Sequence, residues 1–553
     1  MSTDLRTEIN DCEDNTVTFT TSGSGLGDDA LAGQFYEGTQ AVKAQHSNND
    51  DELYTTSDSG GTALNINMSD VTAYVLLKDS LPQTFANRGV QILLGDGTDR
   101  IGYSVGGSDA QGIPLGPFFN VYKLDVSEIV ATPGTNFAVY AGSEANLAQT
   151  TITQFGIGTF HNAKAQGNVA NLALDRMTYH ANGSYALRIN GGTVGTPETM
   201  SDVQGDDVTN GWGLVANPLG ALYYFFGPTE WGEPAANADV YFTASDEQWF
   251  FIGDNAGGRA VGATHFPFRL AGNATDTISF VLNNVVIVNT GTRAEFDFSD
   301  ANVDIMQLNA VTFTDLGAST MPVQVASDKF CNNSIFNNCD QVYLSTLDCD
   351  GLVFNGSNNA LGAILWDASS NEENQDNLTF NSDGTGHAIE ISLNTASLTT
   401  FNIDGYEVSG YETTSNGSTG NTVFLVDNAA DGDVTINVSN GTGTFSYERA
   451  AGYTGTVTVN QTVTVTITVQ DTDGNPIEGA KVFLEESGGT DIISFDITNA
   501  SGIVTTSYAG STPQSVVGYV AKGTISPVYK RVNINDTIGA SGLSATITMV
   551  SDE

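Results

Sequence analysis

The sequence predicts an all-β protein, and its composition, its periodicity and its turn residues each indicate this fold class. Glycine accounts for 61 of the 553 residues, about 11% against a usual ~7%. No sustained apolar stripe at helical spacing is found, whereas short alternating runs bounded by Gly, Asn and Asp recur, as in Val457 to Val469. Because 40% of the residues are hydrophobic and only 15% are charged, folded domains are expected rather than disorder.

The first region covers an arm and a predicted sandwich. Residues 1–15 precede the strand-like runs and are interpreted as an N-terminal arm, flexible or docking. Over residues 16–195, strand-like runs are separated by turn signals such as Gly95 to Asp99, and this spacing fits a two-sheet sandwich. The segments GQFYEGTQAVKAQHS, VTAYVLLKD, GVQILLGDGTDRIGYSVGG, FNVYKLDV and NLALDRMTYHANGSYALRINGG resemble the concanavalin-like jelly-roll modules of tailed-phage proteins. The resemblance implies a jelly roll here.

The second region, residues 196–460, shows a repeat. A tetrad of small or apolar residues, then Phe, then a polar residue recurs every 18 to 26 residues (354−336 and 380−354), with phenylalanine at Phe313, Phe336, Phe354, Phe380 and Phe401. Repeats of about 20 residues without helices predict a solenoid. In a right-handed parallel β-helix the phenylalanines would stack inward and the following Asn would turn the chain. The segment GTGHAIEI resembles strands of phage tail β-helices.

The third region, residues 461–553, alternates strictly from Val463 to Val469 and then turns at Gln470 to Pro476. The segments VTVQDTDGNPIEGAKVFL and TNASGIVTT resemble immunoglobulin-like modules of the carboxypeptidase-regulatory or transthyretin-like kind. The resemblance implies an immunoglobulin-like sandwich that spaces, packs or adheres.

Charge excludes several classes of partner. The chain has 18 basic and 64 acidic residues, a formal net charge of −46, and such a surface repels phosphate backbones and anionic lipid headgroups. We therefore expect no nucleic-acid and no membrane partner. The most apolar stretch, Leu219 to Phe226, is too short to span a bilayer. The first residues show no basic region followed by an apolar run, so no secretory signal is expected.

Metal and cofactor sites are not predicted. The cysteines at 12, 331, 339 and 349 form no CxxC pair, so buried thiols are expected, and the five histidines lack a partner at ligand spacing. Asp471, Asp473 and Asn475 mimic the start of a calcium loop, but Pro476 and Val482 replace the required Gly and Glu, which favours a hairpin turn. The acidic clusters at 49–52 and 205–207 are interpreted as solvated loop tips, with a calcium site at a sandwich rim as the alternative.

Enzymatic chemistry is weighed against binding. The G-x-S-x-G match at 102–106 has no helix after its serine and is rejected as a nucleophile elbow. Glycan cleavage needs two carboxylates, about 5 to 10 Å apart, and the candidates are Asp348, Asp350, Glu372, Glu373 and Asp376. Because 64 residues are acidic, such a set is a weak signal and we expect no enzyme. Sugar-stacking platforms or core packing would account for Trp212, Trp231, Trp249, Trp366, Tyr223 and Tyr224.

These resemblances together imply a structural protein of a tailed-phage virion. We expect it to fold in the host cytoplasm and to be exposed on the particle surface, in a tail fibre, tailspike or head appendage that attaches to host-surface glycans. Its expected partners are two further copies, in a homotrimer, and other virion proteins. The alternatives are a bacterial surface adhesin and a polysaccharide-degrading β-helix hydrolase or lyase. The acidic surface suits a saline environment, where screening weakens self-repulsion.

Overall fold

Strands dominate the structure, and the all-β fold class is confirmed. The structure, a computed structural model, describes residues 2–13, 19–22, 24–29, 41–46, 50–79, 90–105, 119–127, 137–160, 170–253, 268–291, 295–320, 328–370, 372–417, 420–509, 513–523, 526–539 and 542–552. The chain divides into two compact units, Met1–Phe330 and Cys331–Glu553, which are described separately.

The first unit begins with antiparallel strands. In chain order they are β1 (Thr3–Asp4), β2 (Thr7–Asn10), β3 (Phe19–Thr21), β4 (Ser24–Asp29), β5 (Ala41–His46), β6 (Asp50–Thr55), β7 (Val71–Asp79), β8 (Val90–Gly95), β9 (Arg100–Ser104), β10 (Phe119–Asp125), β11 (Phe137–Ala141), β12 (Gln154–Phe160), β13 (Ala170–Ala181) and β14 (Leu187–Ile189). Short 3₁₀ turns lie at Glu144–Asn146 and Gln149–Thr151.

Two antiparallel sheets share one core in this part of the first unit. One sheet has the order β10-β7-β13-β5-β4, with β2 also paired to β13, and the other has the order β11-β9-β8-β12-β6-β3. Alternate residues point inward, as period-2 strands require. Val75 and Leu77 of β7 thus pack in the same buried cluster as Ile92 and Leu94 of β8.

The N-terminal residues belong to this folded unit. Strand β1 pairs with β14, and β2 pairs with β13. Ile9 and Cys12 are buried in the core that the two antiparallel sheets share. The expectation of a flexible arm is therefore wrong for residues 2–13, because their backbone hydrogen bonds and apolar side chains are used in the fold.

An α-helix, α1 (Met200–Asn210), was not expected from the sequence. Its N-terminus has a capping box, in which the Thr199 hydroxyl accepts from the Asp202 N–H and the Asp202 carboxylate accepts from the Thr199 N–H. Gly211 ends it with a φ of 62°. The cluster at 205–207, with its acidic residues Asp206 and Asp207, is thus helical and not a loop tip, and Asp207 is buried, where it accepts the Leu214 N–H at 2.7 Å.

After the helix, parallel coils follow in the first unit. Their strands are β15 (Val215–Ala216), β16 (Leu222–Phe225), β17 (Thr229–Gly232), β18 (Val240–Ala244), β19 (Trp249–Ile252), β20 (Phe268–Ala271), β21 (Ile278–Asn283), β22 (Val286–Asn289), β23 (Phe296–Asp297), β24 (Ile305–Asn309), β25 (Thr312–Thr314), β26 (Ser319–Thr320) and β27 (Lys329–Asn332), which crosses the unit boundary. Strands three positions apart pair in parallel, which gives the rows β14-β17-β20-β23-β26, β16-β19-β22-β25 and β18-β21-β24.

Parallel coils continue in the second unit. Their strands are β28 (Ile335–Asn337), β29 (Val342–Tyr343), β30 (Asp348–Asp350), β31 (Val353–Asn355), β32 (Ile364–Trp366), β33 (Gln375–Asp376), β34 (Thr379–Asn381), β35 (Ile389–Leu393), β36 (Thr399–Asp404), β37 (Glu407–Ser409), β38 (Phe424–Asn428), β39 (Val434–Ser439) and β40 (Tyr447–Arg449), with a 3₁₀ turn at Glu372–Asn374. The parallel rows are β28-β31-β34-β37, β29-β32-β35-β38-β40, β30-β33 and β36-β39.

The predicted phenylalanine stack is present in part of these coils. Phe336, Phe354 and Phe380 are aligned on adjacent strands, with ring centroids 4.9 and 5.0 Å apart. Phe401 does not continue this row, because Val408 pairs with Phe380 and Phe401 stacks on Trp366 instead. The assignment of Phe401 to the same repeat position is therefore wrong.

The asparagines that follow these phenylalanines do not turn the chain. Asn337, Asn355 and Asn381 end their strands and form a ladder, in which each amide Nδ2 donates to the Oδ1 of the preceding rung at 2.9 Å. The chain turns at the next residue, where Asn338 and Gly356 have φ values of 50° and 68°.

The second unit ends in two further sheets. Their strands are β41 (Val457–Gln470), β42 (Lys481–Glu486), β43 (Asp491–Ile497), β44 (Ile503–Tyr508), β45 (Gln514–Lys522), β46 (Tyr529–Ile538) and β47 (Leu543–Thr548). Strand β41 pairs with β44 and β47, while the other sheet has the order β43-β42-β45-β46, and both contribute to one buried cluster. The first half of β41 also pairs with β39 of the coils, so this strand runs through the predicted boundary at residue 460.

Candidate functional site

A column of carboxylates lies on one outer face of the coils in the second unit. Asp350 of β30 is paired with Asp376 of β33. The N–H of Asn377 donates to the carbonyl of Asp404 on β36, which places Asp404 at the next rung. The three side chains are exposed, while the alternate positions Cys349 and Gln375 are buried. Neighbouring strands lie about 4.8 Å apart, so the three aspartates are stacked at successive rungs.

One-residue turns fix this register. The residue after each aspartate has a positive φ, which is 67° at Gly351, 55° at Asn377 and 71° at Gly405. Glycine and asparagine adopt this conformation at the lowest cost. At Gly405 the glycine is also required for space, because a Cβ atom would lie 2.1 Å from the Oδ1 of Asn377.

Amide groups surround the column. Asn377 Nδ2 donates to Asp350 Oδ1 at 2.7 Å, and Asn440 Nδ2 donates to Asp404 Oδ1 at 2.6 Å. The neighbouring outward positions of β36, β39 and β41 carry a second amide ladder, from Asn402 through Asn437 to Asn460. The face is therefore polar, repetitive and held in fixed geometry by side-chain hydrogen bonds.

The charges in the column affect one another. Partial burial, followed by the negative charges of Asp404, Asp350 and Asp348, raises the pKa of Asp376 above its ordinary value. A carboxylate pair in which one member is more easily protonated is the minimum for acid–base chemistry on a glycan. The column lies on an open sheet face, however, and water is not excluded from it.

The structure brings together three of the five carboxylates proposed from the sequence. Asp348, Asp350 and Asp376 share this face, and Asp404 joins them. Glu372 is buried, and its Oε1 accepts the Asn402 N–H at 3.1 Å, so it supports strand β36. The side chain of Glu373 lies outside the described residues. One feature of the sequence could have identified Asp404 as a member of this column: like Asp350, it is followed directly by glycine.

The proposed aromatic platforms divide into core and surface residues. Trp231 and Trp366 are fully buried, and Trp366 Nε1 donates to Gln375 Oε1 at 2.9 Å. In the first unit, Trp249 is 39% exposed and its ring centroid lies 6.1 Å from that of Phe251. The Tyr224 ring also stacks on Phe251, with ring centroids 4.5 Å apart.

The remaining predicted residues are structural in the described part of the chain. Asp471 accepts hydrogen bonds from Asn475 in the turn between β41 and β42, and these bonds lower its pKa. Asp51 and Glu52 are buried in β6, with Glu52 2.6 Å from Arg100, so this cluster is not a solvated tip. Asn49 and Gly106 lie outside the described residues.

The cysteines and two of the histidines are buried. All four cysteines lie in the described part and none forms a disulfide. His180 and His387 are buried as well. Among the described residues, no group of three or more His, Cys, Asp and Glu side chains could hold a metal ion. No helix in the described ranges is long and apolar enough to cross a membrane.

Comparison with known proteins gives little similarity. No protein-family model matches the sequence, and no curated protein matches it. The solved structure of PfGH50B aligns at 11% identity with a TM-score of 0.20, over 30% of this chain and 22% of that one. The Agl-KA catalytic domain aligns at 9% identity with a TM-score of 0.16, over 83% of this chain and 98% of that one. The chain thus spans about a fifth of PfGH50B, and at these TM-scores neither similarity supports an inference about function.

Proposed function

We propose that this protein is a structural component of a tailed-phage particle that attaches to host-surface glycans and is not an enzyme. It is exposed on the particle as part of a tail fibre, tailspike or head appendage. The observation that carries the proposal is the set of rigid polar ladders on the outer faces of the second-unit coils, Asn337 to Asn381 and Asp350 to Asp404. A repetitive, prearranged polar face suits contact with a repetitive linear polymer, because little side-chain entropy is lost on binding.

The proposed architecture combines three modules. The antiparallel sheets of the first unit are a concanavalin-like jelly roll, the parallel coils are a right-handed β-helix, and the C-terminal sheets are an immunoglobulin-like sandwich. The pairing of strands three positions apart and the one-residue turns support the β-helix. The shared core of the two terminal sheets supports the sandwich.

The solvent exposure of the carboxylate column favours glycan binding over glycan cleavage. Asp350, Asp376 and Asp404 are all exposed on a sheet face, whereas glycan-cleaving sites draw on water exclusion and substrate distortion. Asp350 and Asp404 are also engaged by asparagine amides. These contacts suit recognition of sugar hydroxyl groups.

The proposed partners are two further copies of the chain, in a homotrimer, and other virion proteins. An apolar outer face supports self-association. In the first unit, Leu222, Trp249 and Phe251 lie on the face of β16 and β19 opposite the buried Tyr223 and Phe250, and they carry no charge. Two copies of a chain with a net charge of −46 meet most favourably at an uncharged face.

The proposal is tested with the purified full chain. Light scattering should give three times the chain mass, and the protein should co-sediment with host cells or their capsular polysaccharide without releasing oligosaccharides. A monomer at micromolar concentration, or no binding to host glycans, would overturn it. Release of oligosaccharides that is lost on Asp376→Asn, but kept in the matched exposed variant Asp552→Asn, would establish the hydrolase or lyase instead.

A further inference from the structure

A row of four planar side chains crosses the outer face of the C-terminal sheet β43-β42-β45-β46, one from each strand. Phe495 stacks on Phe483 with ring centroids 5.0 Å apart, and Phe483 lies 5.5 Å from Tyr519. The guanidinium of Arg531 lies over the Tyr519 ring, 3.6 Å from its centroid. We call these four residues the aromatic row.

The aromatic row is open to solvent. Phe495 is 50% exposed, and Ile497, two residues further along β43, is 61% exposed. The core of this sandwich is built from the opposite face of the same sheet, by Val482 and Val520 among others. Large apolar side chains left together on a surface mark an interaction site more often than isolated ones do.

The backbone at Phe495 is unusual. A β-bulge lies there, because Val482 pairs with Asp496 whereas Phe483 pairs with Ser494, which leaves Phe495 without a partner. Phe495 has a φ of 66°, a conformation that suits glycine or asparagine and is unfavourable for a bulky side chain. The bulge directs the phenyl ring to the outer face. A phenylalanine held in a strained backbone and left exposed indicates a role outside the fold.

The charges around the aromatic row indicate an anionic ligand. Lys481 and Glu485 lie two positions before and after Phe483 on β42 and so share its face, and Arg531 lies with Lys481 towards the end of the row away from Glu485. Neither cation forms a salt bridge with any described residue, although the chain has 64 acidic and 18 basic residues. Elsewhere Arg6, Arg100 and Arg188 are paired with carboxylates. Two unpaired cations beside exposed rings favour a ligand with a negative charge and an apolar surface.

We propose that the aromatic row binds an acidic polysaccharide whose sugars carry carboxylate groups, because Lys481 and Arg531 supply a local positive charge that acts against the repulsion from the net charge of −46. The C–H faces of the sugar rings pack on Phe495 and on the exposed edges of Phe483 and Tyr519, and a sugar carboxylate accepts two N–H bonds from Arg531. The row spans three strand spacings, about 15 Å, which fits an extended chain of several sugars. This inference rests on the proposed attachment to glycans and names the ligand class of one module.

A purely structural role makes the opposite prediction. Cross-strand aromatic pairs stabilise sheets, so removal of Phe495 would then lower the unfolding temperature. Under the present proposal, Phe495→Gly relieves the backbone strain, and the unfolding temperature stays the same or rises while binding is lost. Measuring both the unfolding temperature and the polysaccharide binding of this one variant therefore distinguishes the two roles.

The test uses the full chain with immobilised polygalacturonate as the acidic probe and dextran as the neutral one. Phe495→Gly and Arg531→Gln should each weaken polygalacturonate binding at least tenfold without lowering the unfolding temperature. The control Val550→Ala removes another exposed apolar side chain of the same module, 51% exposed, and should leave binding unchanged.

Three outcomes would overturn the inference. Unchanged polygalacturonate binding in both variants would reject the aromatic row while leaving the proposed function intact. A clear fall in unfolding temperature for Phe495→Gly, or an altered oligomeric mass, would assign the row to folding or to contact between copies. Failure of the unsubstituted protein to bind any polysaccharide, host glycans included, would overturn the proposed function as well.

Discussion

The pKa of Asp376 depends on how the coils stack. Its carboxylate lies between those of Asp350 and Asp404, and partial burial together with these neighbours raises its pKa. A raised pKa means that the folded chain binds this proton more tightly than the unfolded chain does. The contribution of Asp376 to stability therefore falls as the pH rises from its ordinary pKa through the raised one.

We expect Asp376→Asn to stabilise the protein at neutral pH. Like charges on adjacent strands are destabilising, and removal of one exposed charge should raise the free energy of unfolding by up to about 1 kcal/mol. Denaturant unfolding at pH 7 and at pH 4 measures the effect, and the gain should be smaller at pH 4. Asp552→Asn is the control and should give no gain, because this exposed carboxylate lies 3.8 Å from Lys530 Nζ and not beside the carboxylates of the column. An equal gain at both pH values would show that charge repulsion is not the cause.

The position of this column could be read only partly from the sequence. Asp350 and Asp376 were candidates because carboxylates cluster there, but Asp404 is 28 residues after Asp376 (404−376) and is brought close only by coil stacking. The shared signal is an aspartate followed by glycine or asparagine, at 350–351, 376–377 and 404–405. This pair of residues recurs because the residue after each aspartate forms a turn with a positive φ, which glycine and asparagine adopt at the lowest cost.

At the scale of elements, the phenylalanine stack shows where the repeat could be predicted. The sequence aligns Phe336, Phe354 and Phe380 correctly because each is the middle residue of a three-residue strand that ends in asparagine. The sequence does not align Phe401 correctly, because loops of variable length separate the strands. The number of residues between two phenylalanines therefore cannot by itself assign a residue to a row of strands. Helix α1 was missed because only Met200, Val203 and Asp207 of its eleven residues are buried, which leaves a weak apolar stripe.

Phe354→Ala should destabilise the second unit strongly. Phe354 is 2% exposed and lies between two stacked rings, and removal of such a side chain costs about 3–5 kcal/mol. Thermal unfolding of the full chain measures this loss. The control Leu398→Ala removes a side chain that is 62% exposed in the same unit and should change stability by less than about 0.5 kcal/mol. Comparable losses in the two variants would contradict the stacked arrangement.

At the scale of the whole molecule, the net charge of −46 dominates. Carboxylates outnumber cations on every predicted region, so repulsion opposes the compact state at low salt. The screening length falls from about 30 Å at 0.01 M salt to about 3 Å at 1 M. This behaviour is the basis for the expected saline environment.

We expect the unfolding temperature to rise with sodium chloride up to the ionic strength of seawater. A gain of about 1 kcal/mol corresponds to about 2–4 °C for a unit of 150–250 residues, so the total shift should be several degrees. Scanning calorimetry measures it, and potassium chloride at equal ionic strength should act equally. Precipitation or unfolding in sodium chloride would count against the prediction, and a response to calcium alone would point to a specific ion site.

The pairing of strand β41 determines how this part of the chain responds to a pulling force. Its first half hydrogen-bonds in parallel to β39 and its second half to β44 and β47, without a break over fourteen residues. A pulling force along this strand therefore loads many hydrogen bonds in shear at once, rather than peeling them apart one at a time. Such a force would pass between the coil strand β39 and the terminal strands β44 and β47 through this one run of fourteen paired residues.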